Sequence, residues 1–239
     1  MVDIQALRAR VDGIRARIRA AGDFEGKVTL MAAVKYATPE QIDALCTECG
    51  VHDVGENRVQ QLLEHYEMIR CKEQLNIHFI GSLQKNKVKY IIDKVCMIHS
   101  LDSLSLAAEI ERQCVRIGRP SIDVLVEINS GEEQSKGGVL PCELADFFEK
   151  LSDFPHLRVR GFMTMAPKCE NLADYRKYFS QTYRQCIDIW QKKLDNIDSN
   201  ENSEPIPPPV FSMGMSDSFE AAVAEGATIV RVGGAILRD

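Results

Sequence analysis

The chain has 239 residues, 45% of them hydrophobic and 27% charged, with a formal net charge of −6 and eight cysteines. That length suits one α/β barrel of ~250 residues, and the charge argues against a general nucleic-acid surface, which needs a clustered excess of Lys and Arg. No apolar run approaches the ~20 residues of a membrane helix, the first residues lack the apolar core of a secretory signal, and scattered cysteines in a chain this size suggest reduced thiols and a cytoplasmic setting.

A first helix is predicted over residues 3–20, where Ile4, Leu7, Val11, Ile14 and Ile18 recur at spacings of three and four and so share a face. Its arginines, Arg8, Arg10, Arg15, Arg17 and Arg19, would suit a mitochondrial transit peptide, but Asp3 and Asp12 are present and serine is absent. That favours a helix of the mature fold. Short apolar runs then alternate with amphipathic ones. Strands are predicted at residues 29–34, 52–54, 77–80, 96–98, 122–128, 159–163, 210–214 and 228–232, with helices at 39–49, 58–69, 85–94, 104–117, 140–151, 172–194 and 217–225 between them. Residues 196–209 are polar and then proline-rich, the composition of a flexible or extended surface loop. Eight strands alternating with helices point to a parallel sheet closed as a (β/α)8 TIM-type barrel, one α/β domain over residues 1–239 with an extra N-terminal helix. Cys46 and Cys49 form a Cys-x-x-Cys pair late in a helix, without a second ligand pair at zinc spacing and without the helix start of a redox site. A structural role is expected for both.

In such barrels function gathers where strands end and loops begin. Lys35 closes the first strand after a largely apolar run, and its amine either reaches outward to solvent or turns inward, partly desolvated and more nucleophilic. After the seventh strand, Met215-Ser216-Asp217-Ser218 carries a helix-start signature, with the helix predicted to begin near Ser216. Open backbone N–H groups and the positive helix end suit an anion such as phosphate there; the plain alternative is a cap and nothing more. The last strand, Thr228-Ile229-Val230-Arg231-Val232, runs into Gly233-Gly234, which either lets backbone approach a ligand closely or only turns the chain. A lysine nucleophile facing a phosphate anchor is what pyridoxal 5'-phosphate requires. An inward Arg231 would donate to the pyridine nitrogen of that cofactor and, keeping its own proton, weaken the ring as an electron sink; otherwise it pairs with an acid.

The motifs Ala33-Val34-Lys35, Gly55-Glu56-Asn57, His78-Phe79-Ile80-Gly81, Leu83-Gln84-Lys85-Asn86-Lys87, Gly161-Phe162-Met163-Thr164-Met165, Ser212-Met213-Gly214-Met215-Ser216 and Val230-Arg231-Val232-Gly233 follow in order. Carrying them, the chain resembles the pyridoxal phosphate homeostasis proteins, also called proline synthase co-transcribed homologues, over nearly its whole length. The resemblance implies a barrel like the N-terminal barrel of alanine racemase, with the cofactor held as a Schiff base on Lys35. It implies phosphate on Ser216 and on the backbone of Gly233 and Gly234, and the ring nitrogen at Arg231. Asn57 is a further cofactor-binding candidate through its motif, and Lys136 matches a family lysine that takes over cofactor during transfer. Two departures weaken the implied phosphate contact. Relatives often carry threonine where this chain has Gly234, and at Leu237-Arg238-Asp239 they commonly have an aromatic residue, a glycine and several more residues.

The function so implied is a carrier that binds pyridoxal 5'-phosphate, buffers it and delivers it to apo-enzymes, regulating vitamin B6 supply in the cytoplasm. It would be a monomer without catalytic residues or metal ligands, and without nucleic-acid or membrane partners. The alternative is an amino-acid racemase-like pyridoxal phosphate enzyme. Racemases of this type take a second base from an additional β domain and a partner subunit, whereas this sequence stops after its eighth strand, so a non-catalytic carrier is expected. A protein-interaction scaffold is a third possibility, resting on the arginine-bearing first helix.

Overall fold

The computed structural model describes residues 2–131, 137–197 and 207–238. Eight parallel strands close on one another in chain order: β1 (Thr29–Ala33), β2 (Asp53–Glu56), β3 (Asn76–Phe79), β4 (Met97–Leu101), β5 (Ile122–Ile128), β6 (Leu157–Thr164), β7 (Val210–Ser212) and β8 (Ile229–Val232). Closure is made by β1 against β8, with Met31 opposite Arg231. Around the barrel stand α1 (Ile4–Ala20), α2 (Pro39–Cys49), α3 (Val59–Met68), α4 (Val88–Ile91), α5 (Leu104–Ile117), α6 (Leu144–Lys150), α7 (Leu172–Ile197), α8 (Phe219–Ala224) and α9 (Gly234–Leu237). The expected eight-stranded barrel with an extra N-terminal helix is therefore what forms.

The first helix buries Leu7, Val11, Ile14 and Ile18 and is started by Asp3, whose carboxylate accepts from Ala6 N at 3.0 Å. Three of its arginines bind neighbouring elements of the chain. Arg8 donates to the Glu48 carbonyl, and Arg15 to the carbonyls of Cys49 and Gly50, satisfying acceptors that the end of α2 leaves open. Arg17 pairs with Glu220 at 2.9 Å and lies over the Phe219 ring. A helix that spends these charges on α2 and α8 is bound to the barrel, which removes the main support for a scaffold. Cys46 and Cys49 are buried on α2, and all eight thiols are free.

Several element bounds differ from the sequence expectation. Residues 85–94 make a 3-10 turn, Lys85–Lys87, and a single α turn rather than one helix, and residues 140–151 divide into a 3-10 turn, α6 and a second 3-10 turn. The chain after β7 differs in a way that bears on function. No helix starts near Ser216: α8 begins at Phe219, with Ser218 at the N-cap position and its Oγ accepting from Met215 N at 3.1 Å. Gly214 fixes this seat. Its φ is +91°, and a Cβ there would stand 2.8 Å from the Cα of the buried Phe219, so the close packing of this turn decides where helix geometry begins. Likewise Gly233 and Gly234 open the short helix α9 instead of a plain turn. The expected loop at 196–209 overlaps the end of α7; its residues 198–206 lie outside the described residues, as does Lys136.

Candidate functional site

The C-terminal ends of the strands share one face of the barrel. There, a cavity of about 460 Å³ is lined by Lys35 after β1, Asn57 and Arg58 after β2, Gly81 after β3, Glu127 in β5 and Met165 after β6. Its size falls within the ~300–1,000 Å³ of small-ligand pockets. A hollow of about 570 Å³, lined by Phe148, Leu157 and Ile189 among others, takes no residue from the C-terminal strand ends.

Lys35 stands two residues beyond the end of β1 and is exposed, its Nζ 4.9 Å from the centre of the Tyr36 ring. Of the two orientations open to it, the outward one forms, at the mouth of the cavity. Gln61 of α3 donates to the Lys35 carbonyl at 2.9 Å and holds the loop backbone. Asn57 is bound more tightly. Its carbonyl oxygen would lie 2.0 Å from a Cβ at Gly81, so only glycine lets these two strand ends approach. The Asn57 Oδ1 is buried without a hydrogen-bond partner among the described residues, which costs about 1–3 kcal/mol unless a ligand or water supplies a donor.

Arg231 is buried in β8. Its Nη1 donates to Ser212 O at 2.7 Å and Ser212 Oγ at 2.6 Å, and its Nη2 to Thr164 O at 3.0 Å. The sequence left pairing with an acid open; among the described residues none forms an ion pair with it, and burial pushes its pKa down to about 10 against the opposing pull of Glu127. A guanidinium has five N–H donors. Three are used, which leaves two without an acceptor among the described residues.

Ser216 is half-buried, and its hydroxyl has no hydrogen-bond partner among the described residues. Gly233 packs on β1, where a Cβ would come within 2.8 Å of Ala33 O; Gly234 is open, with only Arg238 Cδ at 3.8 Å. Close backbone approach thus explains Gly233 and not Gly234. The first N–H groups of α9, from Gly234 onward, have no acceptor inside their helix. Ser216, Arg231, Gly233 and Gly234 belong to the β7–β8 side that closes on β1 and do not line the cavity shared by Lys35 and Asn57.

Sequence reasoning missed the polar interior. His99 Nδ1 lies 3.0 Å from Ser212 Oγ, His99 Nε2 lies 3.0 Å from His78 Nδ1, and His78 Nε2 lies 3.1 Å from Asp53 Oδ1. It also missed Glu127, although an acid inside the run Val124-Leu125-Val126-Glu127-Ile128 was a visible signal. Burial, then Asp102, raise the Glu127 pKa to about 7, with Arg231 pulling it down.

A profile of the alanine racemase N-terminal domain matches residues 2–238. The chain is 41% identical over 223 residues to a protein of Aquifex aeolicus named pyridoxal phosphate homeostasis protein, covering 93% of this chain and 92% of that one. It superposes on the solved structure of PipY from Synechococcus elongatus with PLP bound at a TM-score of 0.78 and 26% identity, over 97% of this chain and 99% of that one. An alanine racemase of Clostridium difficile shares the fold at a TM-score of 0.68 and 18% identity, over 97% of this chain and 56% of its own.

Proposed function

Because the chain belongs to the pyridoxal phosphate homeostasis protein family, we propose that it binds pyridoxal 5'-phosphate, holds it as a Schiff base on Lys35 and carries and buffers it for apo-enzymes. The carrying observation is the cavity that Lys35 shares with Asn57, whose buried Oδ1 has no donor among the described residues. The chain's residues fit the cofactor. Asn57 offers an acceptor, Arg231 two unspent N–H donors for the ring nitrogen, and Ser216 with the backbone of Gly233 and Gly234 the donors for phosphate. When bound, the cofactor supplies an aldehyde and an electron-withdrawing ring. Arg231, which keeps its charge, limits that withdrawal, as suits a carrier that does no chemistry on a substrate. Free thiols suit a reducing compartment, and the proposal places the carrier in the cytoplasm as a monomer. Borohydride reduction of protein incubated with pyridoxal phosphate, followed by peptide mapping, should label Lys35. Label chiefly on Lys85, Lys87, Lys89 or Lys136 would refute this site.

Glu127 favours a second reading, an amino-acid racemase-like enzyme, because it adds a titrating group to the Lys35 cavity. Chiral analysis of alanine after long incubation with the loaded protein separates the two. The carrier gives no turnover; rates of ~1 per second or more would establish the enzyme.

A further inference from the structure

We propose that Glu127 is the proton-exchange group of the Lys35 cavity, setting how fast Lys35 takes up an aldehyde and gives it back. This rests on the reading of Lys35 above. Glu127 is the penultimate residue of β5, opposite Met163 of β6, and only 6% of it is exposed. Its backbone is fixed on the loop side by Val139 N, which donates to Glu127 O at 2.8 Å. The carboxyl lines the cavity with Lys35 and Asn57 and has no hydrogen-bond or ion-pair partner among the described residues. Among the described residues, Asp102 after β4 and Arg231 of β8 act on its charge, and Lys35 and Arg58 line the same cavity.

A buried, unpartnered carboxyl costs stability, and an apolar residue on this strand would not. Its placement makes sense as chemistry. Burial brings its pKa to about 7, so both forms are populated near neutrality, the condition for efficient acid–base exchange. In uptake, the Lys35 amine forms the new C–N bond while the carbonyl π pair moves to oxygen. Glu127 carboxylate accepts an N–H proton and passes it to that oxygen. Glu127, now a carboxylate again, takes a proton from solvent water and gives it to the resulting hydroxyl, which leaves as water as the C–O bond breaks and the nitrogen lone pair forms C=N. The last N–H proton passes to Glu127 and from it to solvent, so one proton is taken up, one is released and Glu127 is unchanged. Release is the reverse, with water as co-reactant.

The test compares wild type, Glu127→Gln and Glu127→Asp. Stopped-flow absorbance follows pyridoxal phosphate uptake, and dilution follows release, between pH 5.5 and 9. Glu127→Gln should slow uptake and release together, by tenfold at least and up to the ~10²–10⁴-fold typical of positioned acid–base groups, with Kd moving far less and the inflection near pH 7 lost. Glu127→Asp, which keeps a carboxyl, should recover part of the rate and an inflection. Carbon-13 NMR of the unloaded protein should show one glutamate titrating near neutrality that disappears in Glu127→Gln. Equal rates and pH profiles in wild type and Glu127→Gln, with Lys35 labelled by borohydride in both, overturn this inference alone. A change in release matched by an equal change in Kd also overturns it, as it makes Glu127 a binding group. Absence of label on Lys35 in wild type overturns both readings.

Discussion

Arg231 Nη1 donates to Ser212 Oγ at 2.6 Å, and this one contact orders the donors of a polar chain that crosses the barrel interior. With Ser212 Oγ accepting, the Ser212 proton goes to His99 Nδ1. His99 then carries its proton on Nε2 and donates to His78 Nδ1, and His78 Nε2–H donates to Asp53. Every donor points from Arg231 toward Asp53, at the N-terminal end of β2. The tautomers follow from the network, each ring nitrogen's role being fixed by its neighbour's.

Ser212→Ala should therefore be costly beyond its size. It leaves His99 Nδ1 without a donor and removes one of the two acceptors of Arg231 Nη1. An unsatisfied buried polar group costs about 1–3 kcal/mol, read as a lower urea midpoint at unchanged m-value. The guanidinium also loses an anchor, so affinity for pyridoxal phosphate should fall together with stability. An unchanged midpoint would mean that the Ser212 hydroxyl orders nothing.

The two buried titrating groups bend the pH–stability curve in opposite directions. Burial, then His78 and Arg231, hold the His99 pKa well below its ordinary 6.5. The unfolded chain takes up that proton near pH 6.5 and the native state does not, so stability is lost as pH falls below that value. Glu127 is raised from 4.5 to about 7; its contribution is complete below pH 4.5 and lost as pH rises through 7. Urea midpoints from pH 4 to 8 should show His99→Gln with a weaker acid decline than wild type, and Glu127→Gln without the decline toward neutrality. Parallel curves for all three proteins would deny both shifts.

The barrel was legible because its strands are short apolar runs punctuated by glycine, and the lysine of the cavity because it stands just past a strand end, whereas Asn57 was legible only through the motif of the family resemblance. The helix start after β7 was placed near Ser216 because three polar residues precede Phe219, and the burial of Phe219, invisible in sequence, decides among them. The histidines were missed for a related reason. His78, His99 and Ser212 are far apart in the chain, and only closure of the barrel brings β3, β4 and β7 to one interior. Glu127 differs, since an acid in an apolar strand broke the local pattern without being read.

Gly81→Ala tests the geometry that carries Asn57. A Cβ there would meet Asn57 O at 2.0 Å and Asn57 Cα at 2.9 Å, and backbone cannot rotate away as a side chain can. Overpacking of this kind costs about 1–3 kcal/mol, and displacement of Asn57 should weaken pyridoxal phosphate binding as well. Gly118→Ala is the control. At φ +68° with open space around it, it pays only the left-handed penalty of about 1–2 kcal/mol, and its affinity should match wild type. Normal affinity in Gly81→Ala would separate Asn57 from the site.

Ser216→Ala decides whether the turn after β7 holds phosphate. The hydroxyl has no hydrogen-bond partner among the described residues and the residue is half-buried, so its removal should leave the urea midpoint nearly unchanged. Against a phosphate it would lose a charge-assisted hydrogen bond of about 1.5–3 kcal/mol, a roughly 10- to 150-fold rise in Kd for pyridoxal phosphate. Unphosphorylated pyridoxal should bind both proteins alike, since it presents nothing for the hydroxyl to meet. Ser218→Ala supplies the contrast: its Oγ accepts from Met215 N at 3.1 Å, so that variant should lose stability and weaken both ligands in proportion. If Ser216→Ala weakened the two ligands equally, the hydroxyl would not be reading phosphate, and the anchor would have to lie with the N–H groups that open α9.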